Sequence, residues 1–251
     1  MFAFFLSERK LRKSELKQET VADFQFKHFG IMQDKCGMKV GTDGVLLGAW
    51  ALGGSRVLDI GTGTGLVALM MAQRFPQSVV DAIDIDEEAC RQAAENVAAS
   101  PFAGSVHVSH CPLQDFLSSQ PYDAIVSNPP FFVDSLKNPD VKRSLARHTD
   151  TLPFADLFAG ARRLLTEHGF LSIVVPTEVF GRVEEEAYYK GFTLVRKCMV
   201  KTVERKAPKR LLLTFSRSRM GNFEESTEVL QLPDGSRSEW YSRLTEEFYI
   251  K

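Results

Sequence analysis

The chain has 251 residues, a net charge of −1, and 44% apolar against 25% charged residues. This balance excludes a disordered, collagen-like or low-complexity protein. Near neutrality excludes a polycation that coats nucleic acid with its whole surface, so any such contact must come from local basic patches. A chain of this length buries roughly 70–75% of its unfolded surface and needs no disulfide or metal staple.

Residues 1–20 begin apolar and turn charged at Glu8, Arg9, Lys10, Arg12 and Lys13, which reads as a mobile arm or a short helix outside the core. Residues 24–52 are Gly-rich and half apolar. The end of this stretch, Gly44–Leu52, reads as a helix, with Thr42 or Asp43 as the expected N-cap. From Arg56 short apolar strands alternate with helices. The expected strands are Arg56–Ile60, Val79–Ile85, Val106–Ser109, Tyr122–Ser127 and Phe170–Val175. The expected helices are Leu66–Arg74, Glu87–Ala99, Phe154–Leu165 with a Glu-His-Gly stop, and Val183–Tyr189 stopped at Gly191. Leu113–Leu117 reads as a helical turn. Phe192–Val200 and Arg210–Ser216 are β-rich and form a hairpin around a basic loop. Residues 217–251 are more polar, and Ser238–Tyr249 reads as a short helix. The alternation argues for a parallel sheet covered on both faces, with ligands at the C-terminal strand ends. Without an internal repeat or a Gly/Ser linker, the simplest organisation is an arm over 1–23 and one α/β domain over 24–251.

Cys36, Cys90, Cys111 and Cys198 show neither CxxC nor another metal-ligand spacing. Reduced thiols, no metal and a cytoplasmic location are expected. Phe2–Leu6 is too short for a signal h-region and has no basic residues before it. No stretch approaches the roughly 18 apolar residues of a membrane helix, so no membrane association is expected.

The most specific local signal is Asp59-Ile60-Gly61-Thr62-Gly63-Thr64-Gly65, running from a strand into a helix. Glycines let the backbone turn tightly and approach a ligand closely. The helix N-terminus behind them offers free N–H groups. The spacing is GxGxG, not the GxGxxG of nicotinamide-binding proteins. DxGxGxG resembles the S-adenosylmethionine motif of class I methyltransferases, in which Asp59, Gly61, Gly63 and Gly65 are the corresponding cofactor-site positions. Asp84 ends the next strand about 20 residues on, where an acid meets ribose hydroxyls. Asp86 reads as the N-cap of the following helix.

Asn128-Pro129-Pro130-Phe131 follows a strand and resembles the (N/D/S)PP(Y/F/W) pattern of amino-methyltransferases. Their targets are planar nitrogens with a delocalised lone pair. Two acceptors, the Asn128 side-chain oxygen and the Pro129 carbonyl, hold the two N–H bonds and orient that lone pair. Proline fixes φ and removes a competing donor, and Phe131 stacks on the flat group. Positioning supplies most of the catalysis, with no dedicated general base.

Phe24-Gln25-Phe26-Lys27 and the Lys39–Gly48 block (KVGTDGVLLG) extend the resemblance to the tRNA-1(Val) adenine-37 N6-methyltransferase family, over about Phe24 to Ser216. The resemblance implies a Rossmann-like class I methyltransferase fold: a seven-stranded, mostly parallel sheet with helices on both faces and the last pair antiparallel. It also implies that KVGTDG folds over the cofactor pocket, making Lys39 and Thr42 pocket residues or, alternatively, a solvated lysine and a loop cap. One departure is visible. Where relatives carry an acid toward the cofactor adenine, this chain has Cys111 or Pro112, so Asp115 or a backbone group at Pro112–Leu113 must serve. The implied cofactor is S-adenosylmethionine and the implied substrate tRNA, with a monomer favoured. Two basic clusters suit RNA phosphates: Lys137, Lys142, Arg143, Arg147 and His148 after the NPPF loop, and Arg196, Lys197, Lys201, Arg205, Lys206, Lys209 and Arg210 near the hairpin. The alternatives are methylation of a protein glutamine amide or another base, and a catalytically silent cofactor- or RNA-binding module.

Overall fold

A computed structural model describes residues 24–36, 39–129, 152–218 and 222–250. In chain order the elements are β1 (Phe24–Gln25), β2 (Gly30–Ile31), α1 (Thr42–Trp50), β3 (Arg56–Ile60), α2 (Leu66–Arg74), β4 (Val79–Asp84), α3 (Glu87–Ala98), β5 (Val106–His110) and β6 (Tyr122–Ser127). Then come α4 (Phe154–Leu164), β7 (Leu165–Pro176), α5 (Phe180–Tyr189), β8 (Thr193–Val203), β9 (Arg210–Ser216), β10 (Glu224–Gln231) and α6 (Glu239–Thr245).

Among the described residues the main sheet has eight strands in the order β10-β8-β9-β7-β6-β3-β4-β5. Strands β5, β4, β3, β6 and β7 run parallel, and β9 lies antiparallel between β7 and β8. The central strands are mostly apolar because helices cover both faces. One face carries Val45, Leu46 and Leu47 of α1, the Leu66–Ala72 stretch of α2, and Tyr241 and Phe248 near the C-terminus. The other carries Leu157, Phe158 and Ala161 of α4 with Val183 and Ala187 of α5. Helix α1 can lie close on α2 because Gly48 has no side chain there: a Cβ at Gly48 would meet Met70 Sδ at 2.7 Å. No helix among the described residues is long and apolar enough to cross a membrane.

Three sequence expectations change. An eighth strand, β10, extends the expected seven. It lies in the polar tail, and among its residues only Leu230 is buried. An edge strand with one solvated face carries little apolar signal; its pairing with β8 places Glu224 beside Arg196 and Glu225 beside Lys197. The Glu-His-Gly segment is not a helix stop. Helix α4 ends at Leu164, and β7 starts at once because buried Leu165 pairs with Tyr122. The register then slips before Ala124 pairs with Phe170, leaving the polar residues between as a bulge. The expected helical turn after β5 is present, with Pro112 O accepting from both Asp115 N and Phe116 N at 3.1 Å. Finally, neither Thr42 nor Asp43 caps α1. Gly41 is the N-cap residue, without a side-chain bond, and the Asp43 carboxylate is engaged by Arg210.

Candidate active site

The glycine loop leaves the C-terminal end of β3, and Asn128 leaves the end of β6. These strands are hydrogen-bonded neighbours in which Ile60 pairs with Ser127, and Ser127 Oγ donates to Ile60 O at 2.8 Å. From β3 the chain builds outward through β4 and β5, then returns to β6 and builds the other way. The two loops therefore flank the switch point of the sheet, where open α/β sheets form their ligand crevice.

The loop is held in shape by backbone bonds. Gly61 N and Thr62 N both donate to Ile83 O, at 2.9 and 3.0 Å, and Gly65 N donates to Thr62 O at 2.9 Å. Gly61, Gly63 and Gly65 all have positive φ, 71°, 56° and 82°, which residues with a Cβ rarely adopt. A Cβ at Gly61 would meet nothing within 4 Å, whereas one at Gly65 would press on Ala93 of α3. Gly61 thus borders open space, and Gly65 is the close-packing glycine.

Asp59 lies under this loop, 1% exposed. Its Oδ2 accepts from Thr62 Oγ1 at 2.6 Å and Ala68 N at 3.1 Å. Burial pushes its carboxyl up to about 7; the two hydrogen bonds oppose that, and Asp84 adds to it. Asp59 therefore braces the loop against the first turn of α2.

Asp84 ends β4 half-buried. Its Oδ2 accepts from Gly63 N at 2.8 Å and its Oδ1 from Asp86 N at 3.0 Å. Two of the roughly four acceptor sites of a carboxylate remain. Asp86 is the N-cap of α3, accepting from Glu88 N at 2.9 Å. Beyond β5, Cys111 N donates to Asp84 O at 3.0 Å, and Cys111 Sγ donates to Pro112 O at 3.4 Å. Asp115 is exposed. Arg163 fixes this turn by donating to Leu113 O at 2.7 Å and Phe116 O at 2.6 Å. The Leu113 N–H donates to no group among the described residues.

Asn128 is half-buried and Pro129 buried; Pro130 and Phe131 lie outside the described residues. Helix α1 reaches this corner, since a Cβ on Gly44 would stand 4.0 Å from Asn128 Nδ2. Thr42, half-buried, opens the same helix, and Lys39 is exposed in the segment before it.

Sequence reasoning missed the strap over residues 32–36. Asn96 of α3, 1% exposed, accepts from Met32 N at 2.8 Å and donates to Met32 O and Thr64 O, both at 2.9 Å. Gln92 accepts from Lys35 N at 3.0 Å. This brings the Cys36 thiol to 3.7 Å from a Cβ position on Gly63. The available signal was Gln92 and Asn96, two amides four residues apart on the buried face of an amphipathic helix.

The hairpin cations separate into two groups. Arg196 pairs with Glu224, Lys197 with Glu225, Lys201 with Glu204 and Arg210 with Asp43. Arg205, Lys206 and Lys209 are exposed and make no ion pair among the described residues. The cluster at Lys137, Lys142, Arg143, Arg147 and His148 lies outside the described residues. Among the described residues, no group of three or more His, Cys, Asp or Glu is arranged to hold a metal ion.

Residues 44–196 match the family described as methyltransferase small domain. The chain is 46% identical to a tRNA1(Val) (adenine(37)-N6)-methyltransferase of Parabacteroides distasonis, over 91% of this chain and 98% of that protein. It is 49% identical to the protein of the same name from Bacteroides thetaiotaomicron, over 90% and 97%. Among solved structures, a predicted O-methyltransferase from Agrobacterium tumefaciens superposes with a TM-score of 0.65 at 16% identity, covering 82% of this chain and 96% of that one. That likeness establishes the class I methyltransferase fold. With near-complete mutual coverage at this identity, the chain belongs to the tRNA1(Val) (adenine(37)-N6)-methyltransferase family.

Proposed function

We propose that this protein transfers a methyl group from S-adenosylmethionine to the exocyclic N6 of adenine 37 in a valine tRNA, the reaction its relatives are named for. The observation that carries this reading is the pairing of Ile60 with Ser127, which sets the glycine loop and Asn128-Pro129 side by side at the switch point. The cofactor supplies an electrophilic methyl group on a positively charged sulfur.

The residues present suit that cofactor. Gly61 offers open space at the loop, and Asp84 keeps acceptor sites for ribose hydroxyls. For the adenine ring the reading favours the Leu113 N–H over Asp115, because that donor has no partner among the described residues and Arg163 holds its turn in place. Thr42, which opens α1, and Lys39, in the segment before it, are read as pocket residues on the α1 side. Asp59 acts from beneath as a positioning residue. Asn128 Oδ1 and Pro129 O accept the two N6–H bonds, and Phe131 stacks on the base. With both N6–H bonds held, the N6 lone pair would face the methyl group, and the proton that N6 gives up on methylation would pass to water. Because the target lies in a polynucleotide, the base must be turned out into the cleft. The cytoplasm is where this substrate is met.

The test is incubation with S-adenosylmethionine and tRNA lacking the modification, followed by nucleoside mass spectrometry. The expected product is N6-methyladenosine, lost in Asn128→Ala while cofactor binding persists. Label in protein alone would move the assignment to a glutamine amide. Cofactor binding without any methylated product would point to a silent module.

A further inference from the structure

The β8–β9 hairpin tip carries a charge that the rest of its sheet edge does not. Lower on β8, Arg196 and Lys197 are neutralised by Glu224 and Glu225 of β10, at 2.9 Å each. Lys201 is held by Glu204 at 3.0 Å, and Arg210 by Asp43. Arg205, Lys206 and Lys209 remain exposed and unpaired among the described residues. Glu178, the acid of the adjoining Thr177–Val179 turn, makes no ion pair among the described residues either.

The tip is fixed in place. Thr177, just past the end of β7, donates its N–H to Lys209 O at 3.3 Å and its hydroxyl to Pro208 O at 3.0 Å. Lys206 N donates to Val203 O and Lys209 N to Val200 O, at 3.0 and 3.1 Å. Its position follows from the register. Ser127 is level with Ile173, and Ile173 with Leu213, so β9 stands two strand spacings, about 10 Å, to the side of Asn128. Arg210 lies three residues before Leu213, at the start of β9 and level with Pro176, another ~10 Å above the end of β6. The cations are therefore held above the same edge of the sheet as Asn128, where the backbone of a polynucleotide passes when one base is turned down into the cleft.

We propose that Arg205, Lys206 and Lys209 form a docking rim for the tRNA phosphate backbone, and that acidic strand β10 confines the charge of this edge to the tip. The proposal rests on the functional reading above, but its test reads binding without chemistry. Each cation that neutralises a phosphate releases counterions and adds about 0.7–0.9 to the slope of log affinity against log salt.

The full chain and R205Q/K206Q/K209Q are compared in equilibrium tRNA binding across a potassium chloride series, with Lys197→Gln as the control matched in charge to the single variant Lys206→Gln. The triple variant is expected to lose about 2–3 from the slope, since three contacts are removed. Its S-adenosylmethionine affinity and its catalytic rate at saturating tRNA stay unchanged. Lys206→Gln alone loses about one third of the triple effect and serves if the triple variant folds poorly. Lys197→Gln keeps the wild-type slope. A triple variant with the wild-type slope overturns the proposal, as does a Lys197→Gln loss equal to that of Lys206→Gln. Wild-type protein that binds tRNA with the expected slope yet forms no N6-methyladenosine overturns the functional reading and leaves the docking rim standing.

Discussion

Alanine at Gly61 and alanine at Gly65 separate the proposed cofactor cradle from the fold that carries it. Both residues have positive φ, 71° and 82°, so either alanine costs about 1–2 kcal/mol of backbone strain. The two differ in what the new methyl meets. At Gly61 it meets nothing within 4 Å, while at Gly65 it stands 3.3 Å from Ala93 Cβ and 3.4 Å from Ala93 Cα. Ala93 Cα is helix backbone and cannot rotate away, so α3 itself must shift. Overpacking of this kind adds about 1–3 kcal/mol. Gly61→Ala should therefore lose about 1–2 kcal/mol in urea unfolding, and Gly65→Ala about 2–5 kcal/mol. Calorimetry with S-adenosylmethionine should show the reverse order once folded protein is compared. The Gly61 methyl enters the cradle and weakens binding at least tenfold, about 1.4 kcal/mol; the Gly65 methyl points into α3. Equal unfolding losses would refute the packing argument. A Gly61→Ala variant that binds the cofactor like wild type would refute the placement of the cradle.

Two further outcomes follow from buried polar groups. Asp59 holds its proton up to about pH 7 in the folded chain, against an ordinary value of 3.8. Between these values the folded state retains a proton that the unfolded state has released, so stability falls as pH rises through that window and levels off above it. Asp59→Asn keeps an oxygen for Thr62 and Ala68 but cannot ionise; urea melts from pH 4 to 8 should show a flattened slope, and an unchanged slope would contradict the assignment. Asn96→Ala removes three hydrogen bonds to Met32 and Thr64. Buried backbone groups left without partners should cost about 2–4 kcal/mol, with faster amide exchange at Met32; unaltered protection there would show that the strap is held by other contacts.

The parts of this protein that the sequence determined by itself are those with local causes. Arg56–Ile60 and Leu66–Arg74 occupy the spans their apolar patterns indicate. The glycine spacing specifies a turn that needs positive φ, and Asp86 caps its helix through a bond two residues away. The tertiary structure decided what depends on distant partners. Asp43 reads as a cap until Arg210, 167 residues on, engages its carboxylate. Seven hairpin cations look alike until β10, hardly apolar enough to mark a strand, supplies Glu224 and Glu225. Asp59 belongs to the cofactor motif by spacing, yet its depth under the loop makes it a brace. Hydrophobic period, φ and capping act over a few residues. Charge pairing, burial and the meeting of two loops at a strand switch act across the sheet, and no local pattern encodes which groups will meet.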